Sequence, residues 1–276
     1  NDLAIIRLPS IVGTIAVYFC KKFNKSYLIE LVGCPWDALW NHSWKGKLFA
    51  PFMWCVTKKA VKNAPYVLYV TNEFLQRRYP STGRTISCSD VALPTLDESV
   101  LEARLNKINY TSDNKPIILG TTADVNIRYK GQEYVIQAIS RLNKQGYNFE
   151  YHLAGGGDTG HLKSIAEKNG IKDKVRFLGS IPHEDVFNYL DNVDIYIQPS
   201  NTEGMPRALI EAMSRGCPCV GSNAGGIPEL LDKDYIFTRG NFKEMIPILA
   251  ELNREKMLEC DCQFKSEPPA HLKVSH

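Results

Sequence analysis

The sequence predicts an α/β fold, with parallel sheets covered by helices on both faces. Three observations predict it. From about residue 114 onward, short apolar runs alternate with segments whose apolar residues recur at helical spacing. Gly and Pro punctuate that alternation at regular intervals, which is the signature of βαβ units. The 276 residues, 44% of them apolar and 23% charged, suit one large or two modest globular domains. Parallel sheets of this kind bind ligands outside the carboxyl ends of their strands, so the strand-to-helix turns are where function is sought.

In order, the apolar stretch Leu3 to Cys20 reads as a strand (Leu3–Ile6), a turn at Pro9-Ser10 and a buried helix. Arg7 and Pro9 interrupt it, so it does not read as a membrane span, which needs about 20 apolar residues. Tyr27–Val32 and Val67–Thr71 look like strands, and Asn72–Arg78 like a short helix. A Trp-rich segment lies between them. Thr111–Lys115 is polar and marks a hinge. Pro116–Gly120 is the next strand. Gly131–Asn143 places Tyr134, Val135, Ala138, Ile139 and Leu142 on one helical face. Phe149–Ala154 is a strand closed by Gly155–Gly157, and His161–Asn169 a helix closed by Gly170. Val175–Leu178 is a strand, Glu184–Leu190 a helix and Asp194–Gln198 a strand. Pro206–Arg215 is a helix, with Pro at its first position and Gly216 past its end. Cys217–Gly221 is a strand, Pro228–Leu231 a short helix, Tyr235–Phe237 a last strand and Phe242–Leu252 a last helix.

Composition excludes some functions. A net charge of +3 is too weak for nucleic acid, which calls for a concentrated basic patch. Eight Cys include two C-x-C pairs, Cys217/Cys219 and Cys260/Cys262. Structural zinc prefers two to four residues between paired Cys, and no His pair is near. These thiols read as buried or incidental in a reducing cytosol. No metal or cofactor is expected. The chain opens on Asn1 and goes almost at once into an apolar run, which reads as a fragment lacking its true beginning.

The sharpest motif is Glu203-Gly204-Met205-Pro206-Arg207-Ala208-Leu209-Ile210-Glu211, following the strand Asp194–Gln198 and opening a helix. A helix start offers unpaired N–H groups and a positive dipole end, where a phosphate is comfortable. Gly204 permits close backbone approach to a ligand. The two carboxylates bracket that position, and carboxylates accept from sugar hydroxyls. The pattern suits a phosphate with a sugar at each end, which describes a nucleotide-sugar. On spacing alone, a surface turn and an amphipathic helix with solvated Glu would serve as well.

The company of the motif decides between them. Two Glu separated by seven residues, within Glu-Gly-Met-Pro and Leu-Ile-Glu-Ala-Met, are followed by Gly225-Gly226-Ile227-Pro228-Glu229. Together they closely resemble the group 1 retaining glycosyltransferases of family four, with the GT-B fold. Tyr129-Lys130-Gly131 is similar to that family's Lys-Gly at the start of a donor-domain helix, and Phe177-Leu178-Gly179 to its base-pocket strand end. The resemblance covers roughly Pro116 to Glu229. It implies roles by position. Glu211 would hold the ribose hydroxyls and Glu203 the transferred sugar. Lys130 would neutralise the diphosphate as leaving-group charge grows. Backbone at Gly204, Met205, Pro206, Ala208 and Leu209 would touch sugar and phosphate, and backbone at Leu178 and Gly179 the base. The Gly-rich loop at Gly155 would face the cleft. No metal is implied.

Two departures stand out. The family usually has an Arg on the diphosphate just after the first donor-domain strand. Here Gly120 is followed by Thr121-Thr122-Ala123, with Arg128 as a substitute or a plain surface residue. Many members also carry a His in the first domain after a strand like Tyr27–Val32. Here Gly33-Cys34-Pro35 stands there, and His42 is not matched by motif. His183, at a helix start, reads as structural.

Gly155–Gly160 satisfies G-x-G-x-x-G between a strand and a helix, a dinucleotide fingerprint. An NAD site also wants an acid at the end of the next strand, and Phe177-Leu178-Gly179 lacks one. All four Trp fall at 36, 40, 44 and 54. From Trp36 to Pro65 there are five Lys and one acid, Asp37. Trp with Lys suits a membrane interface, but also a core aromatic cluster with solvated Lys.

The expectation is two Rossmann-like domains with parallel sheets, the first incomplete. Residues 1–112 form the acceptor side, 113–240 the donor-binding domain, and 241–276 a helix and tail. The implied activity is retaining transfer of a sugar from a UDP- or GDP-type donor to a glycan or lipid-linked acceptor. Cell-surface polysaccharide synthesis is the implied setting, in the cytoplasm or on the inner face of the cytoplasmic membrane, through the segment Trp36–Lys62. The rivals are a binding fragment without turnover and an NAD-dependent oxidoreductase using Gly155–Gly160.

Overall fold

The computed structural model describes residues 3–93, 98–110, 112, 114–252 and 256–258. The pair Cys260/Cys262, the tail to His276, and Thr111 and Asp113 of the expected hinge lie outside these.

The first unit runs β1 (Ala4–Leu8), α1 (Ile11–Lys22), β2 (Tyr27–Leu31), α2 (Pro35–His42), α3 (Trp44–Lys62), β3 (Tyr66–Tyr69), α4 (Phe74–Arg78) and β4 (Arg84–Ser87). Its strands pair in the order β1-β2-β3-β4, all parallel. The first strand runs to Leu8, two residues past the expected end, because Leu8 is fully buried and registers with Leu31. Ser10 then caps α1, its Oγ accepting from Gly13 N at 2.9 Å. The Trp-rich segment, which carries no element in the sequence reading, folds as α2 and α3. Pro51 lies inside α3 but on its exposed side, where a missing backbone N–H is least harmful.

Next comes α5 (Glu98–Tyr110), also unforeseen. It fastens to the second unit. The Arg104 guanidinium is buried and donates to the carbonyls of Leu190, Val193 and Arg215.

The second unit runs β5 (Ile117–Thr122), α6 (Gln132–Lys144), β6 (Phe149–Ala154), α7 (Gly160–Lys168), β7 (Val175–Gly179), α8 (His183–Asn192), β8 (Ile195–Gln198), α9 (Arg207–Ser214), β9 (Cys219–Ser222), β10 (Ile236–Phe237) and α10 (Phe242–Glu251). The strands order as β10-β9-β8-β5-β6-β7, all parallel. The central strands are buried on both faces: every residue of Ile195–Gln198 is covered, which is why they read as continuous apolar runs. Val135, Ile136, Ile139 and Leu142 of α6 and Met245 and Leu249 of α10 join one core with β5 and β6.

The chain leaves β5 toward β6 and β7, then returns to β8 on the other side. Strand order therefore reverses between β5 and β8, and a crevice opens there at the carboxyl ends. The loop after β8 projects into it, against the first unit.

Candidate functional site: a cleft at the start of α9

A cavity of 400 Å³ lies at this reversal point. It is lined by Thr122, Lys130, Gln198, Glu203, Met205, Pro206, Ala208 and Glu211, with His183, Val186 and Arg207 completing the wall. Four sequence positions converge on it: the end of β5, the turn before α6, the end of β8 and the first turns of α9.

Lys130 ends a 3-10 turn, Arg128–Lys130, placed before α6. Asn201 N donates to Tyr129 O at 2.7 Å and ties this turn to the loop after β8. That brings Lys130 Nζ to 2.7 Å from Glu203 Oε1. The same oxygen accepts from Gln198 Nε2 at 2.9 Å. Gln198 is itself oriented: its Oε1 accepts from Tyr196 OH at 3.0 Å, and its Nε2 also donates to Ser200 Oγ at 3.0 Å. Burial raises the Tyr196 hydroxyl well above its ordinary 10, so it stays a donor. The result is a buried chain, Tyr196 to Gln198 to Glu203 to Lys130, that holds one carboxylate oxygen of Glu203. The other, Oε2, has no partner among the described residues.

Glu211 lies on the second turn of α9, partly exposed on the cavity wall. On the same helix Leu209 is fully buried in a core with Tyr196 and Ile227, and Ile210 packs into the core of the first unit. The helix is thus locked on two sides, and its polar stripe faces the crevice.

Several expected residues stand elsewhere. Arg128 is exposed and does not line the cavity, because only the last residue of its turn points there. Leu178 and Gly179 end the edge strand β7 and Gly155 follows β6. None of the three lines the cavity, although Gly155 N donates to Gly179 O at 2.8 Å. A Cβ on Gly155 would stand 1.8 Å from Ala123 O, so this glycine serves the packing of neighbouring strand ends. Gly204 likewise makes its close approach to protein: a Cβ there would meet Val32 O at 2.1 Å. It lets the two units touch. Leu209 can offer only backbone. Pro206, the expected first residue of the helix, is its cap residue, and α9 starts one position later at Arg207.

Three polar residues on the wall were not expected there. His183 begins α8 as foreseen, yet borders the cavity instead of being merely structural. Gln198 is the single polar residue ending an apolar strand, a signal that was available. Thr122 takes the place after the first strand where the resemblance leads one to expect Arg. Its Oγ1 is buried with no hydrogen-bond partner. Leaving a buried hydroxyl unsatisfied costs about 1–3 kcal/mol, and Thr57 Oγ1 in α3, which does not line this cavity, is unpartnered in the same way.

Glu229 ties the second unit to the first. Its carboxylate accepts from the backbone N–H of Asn72 (2.6 Å), Glu73 (3.2 Å) and Phe74 (2.7 Å). It caps α4 of the first unit from the second. Among the described residues no group of His, Cys, Asp and Glu is placed to hold a metal ion.

The chain was compared with known proteins. Residues 105–252 match the family described as glycosyl transferases group 1. Protein CapJ of Staphylococcus aureus is 37% identical over 257 residues, spanning 92% of this chain and 62% of CapJ. The amylovoran biosynthesis glycosyltransferase AmsK of Erwinia amylovora is 36% identical over 135 residues, 45% of this chain and 33% of AmsK. The chain therefore spans less than two thirds of CapJ and about a third of AmsK. Anabaena HepE in complex with UDP-glucose superposes with a TM-score of 0.69 at 17% identity, over 93% of this chain and 71% of HepE. Sucrose-phosphate synthase from Thermosynechococcus elongatus gives 0.69 at 18% identity, over 95% and 72%. These likenesses establish the fold as GT-B. With the matched family covering residues 105–252, this chain belongs to the glycosyl transferases of group 1.

Proposed function

We propose that the cleft binds a nucleotide diphosphate sugar and serves retaining transfer of its sugar to a glycan or lipid-linked acceptor, in the synthesis of a cell-surface polysaccharide. The observation that carries this reading is the convergence of Lys130, Glu203 and Glu211 on one cavity at the start of α9. The diphosphate lies between Lys130 and the N–H groups of Arg207 and Ala208, which open α9. The ribose hydroxyls donate to Glu211. A sugar hydroxyl donates to Glu203 Oε2, the oxygen its protein neighbours leave open. As the bond from sugar carbon to diphosphate oxygen breaks, negative charge grows where the Lys130 ammonium already stands. That cation and the helix start supply the positive charge that a metal supplies elsewhere. Thr122 Oγ1 takes a phosphate oxygen and replaces the missing Arg. UDP is the first nucleotide to test, because UDP-glucose is the ligand of the HepE complex.

The acceptor reaches the cleft from the first unit, which we place against an anionic membrane on its cytoplasmic side. Along α3, Trp44, Leu48, Phe49 and Phe52 are exposed, as are Ile11, Val12 and Ile15 of α1. Between Ala38 and Asn72 there is no acid at all. Trp36 and Trp54 pack toward the core, so the cluster serves both purposes its composition suggests. Among the described residues no helix is long and apolar enough to cross a membrane.

The test is calorimetric titration of the chain with UDP, GDP and NAD, repeated on Glu211→Ala. We expect UDP or GDP to bind and the substitution to weaken binding by about 1–3 kcal/mol, the scale of a charged hydrogen bond. Nucleotide binding indifferent to the substitution, or NAD binding alone, overturns the reading. Turnover of the sugar donor separates a transferase from a fragment that only binds.

A further inference from the structure

A second cavity, of 420 Å³, lies in the first unit and has no part in the donor site. Trp36, Trp54, Lys58, Arg77 and Arg78 line it. Two indole rings, edge to face at 6.3 Å between centroids, form its apolar wall. Three cations from α3 and α4 converge on it. Their like charges repel, and the acid nearby is too little to balance them. Asp37, which is buried, pairs with Arg78 and lies 3.9 Å from Arg239 of the second unit. Lys58 stands over the Trp54 ring at 4.5 Å. Neither Lys58 nor Arg77 has an ion pair among the described residues. The cavity therefore has an aromatic wall, a fixed guanidinium and two uncompensated cations.

The cavity also adjoins the chemistry. Trp36 lies on α2, and α2 packs against the turn that carries Lys130. The backbone leading into α2, at Val32 and Gly33, is the surface that Gly204 touches. A ligand held here sits beside the face of the first unit that meets the donor loop.

We infer that this cavity is the subsite for a phosphate group of the acceptor, with the apolar or ring portion next to that phosphate lying on the two indoles. The inference rests on the glycosyltransferase reading for the word acceptor, but not for the anion site itself. A planar guanidinium fork and an ammonium suit phosphate oxygens, and indole faces suit an isoprenoid chain or the apolar face of a sugar. The phosphate could come from a lipid carrier or from a free phosphate, and the two are distinguishable.

Since all four Trp of the chain lie between residues 36 and 54, their fluorescence reports on this region. The chain is titrated with geranyl phosphate, geraniol, inorganic phosphate and UDP, and the titrations are repeated on Lys58→Gln and Arg77→Gln. Geranyl phosphate is expected to bind saturably and geraniol far more weakly. Each substitution should weaken geranyl phosphate roughly tenfold or more, with UDP binding unchanged. Inorganic phosphate binding as tightly, with the same dependence on Lys58, assigns the site to a free phosphate. Equal binding of geraniol and geranyl phosphate, or variants that bind as the parent does, overturns the inference. UDP binding without any phosphate ligand removes this subsite and leaves the donor reading intact. Lys58-dependent phosphate binding without UDP binding keeps the anion site and removes its role as an acceptor subsite.

Discussion

At the scale of single residues, Thr122 is the most informative position. Its hydroxyl is buried, unpartnered and on the wall of the donor cavity. In a merely structural role it would be a liability, and Val, of the same shape, would match or exceed it in stability. Thr122→Val is expected to leave the thermal midpoint unchanged or raised, while UDP or GDP affinity falls by about 0.5–1.5 kcal/mol. Lower stability with unchanged affinity would refute a ligand role. A second residue sets a pH dependence. His152, beside Glu150 on β6, has its pKa lowered from 6.5, mainly by burial, with Glu150 opposing. In the unfolded chain the imidazole takes up a proton at higher pH than in the folded one. Stability from this group is thus present above pH 6.5 and lost as the pH falls from there through the folded value. Urea denaturation at a series of pH values should show this loss, and His152→Gln should flatten it. A slope unchanged in the variant would assign the effect to other groups.

At the scale of elements, what counts is how helices from one unit are held by the other. At the start of α4 the Thr71 hydroxyl accepts from Leu75 N, and Glu229 adds bonds from three further backbone N–H groups across the interface. Glu229→Ala removes all three and is expected to destabilise the chain by about 1–3 kcal/mol in denaturant titration. Because Gly225 and Gly226 lie directly against the Glu203–Gly204 backbone, nucleotide affinity should weaken too. A loss of affinity with no loss of stability would mean that Glu229 touches the ligand rather than the interface. The helix α5 is bound through the Arg104 guanidinium, which donates to the carbonyls of Leu190 and Val193 around the end of α8.

At the scale of the whole molecule, one face is distinctive. The outer surfaces of α1 and α3 expose large apolar side chains over an area with Lys and almost no acid. Contiguous apolar exposure of this extent marks an interaction surface. Flotation with liposomes tests the membrane proposal. The chain is expected to rise with anionic vesicles at low salt, less at high salt, and not with neutral ones. Failure to bind anionic vesicles at low salt would reject it.

Much of the second unit was legible in the sequence, because a doubly wound sheet is written locally. Buried strands are apolar runs, the covering helices are amphipathic, and Gly and Pro mark the turns. Every strand from β5 to β10 was legible, within one or two residues at most ends. The first unit was less so. The strand β4 is mostly exposed, and α5 is held by a buried Arg rather than by an apolar stripe, so neither shows the expected pattern. Motif spacing brought Glu203, Glu211 and Lys130 forward as candidates. Their meeting, 2.7 Å apart for Lys130 and Glu203, depends on residues 73 positions apart that the reversal between β5 and β8 brings together. Thr122 and His183 are ordinary in the sequence and line the cavity only because distant strand and helix ends converge. Gly204 looks like a ligand-loop residue in one dimension, and in three its close approach is to the first unit, which Glu229 also touches. Periodicity is set by which faces each element buries, so the sequence alone determined the elements of the second unit. A site is set by which distant ends share a crevice, and the tertiary structure alone decided that.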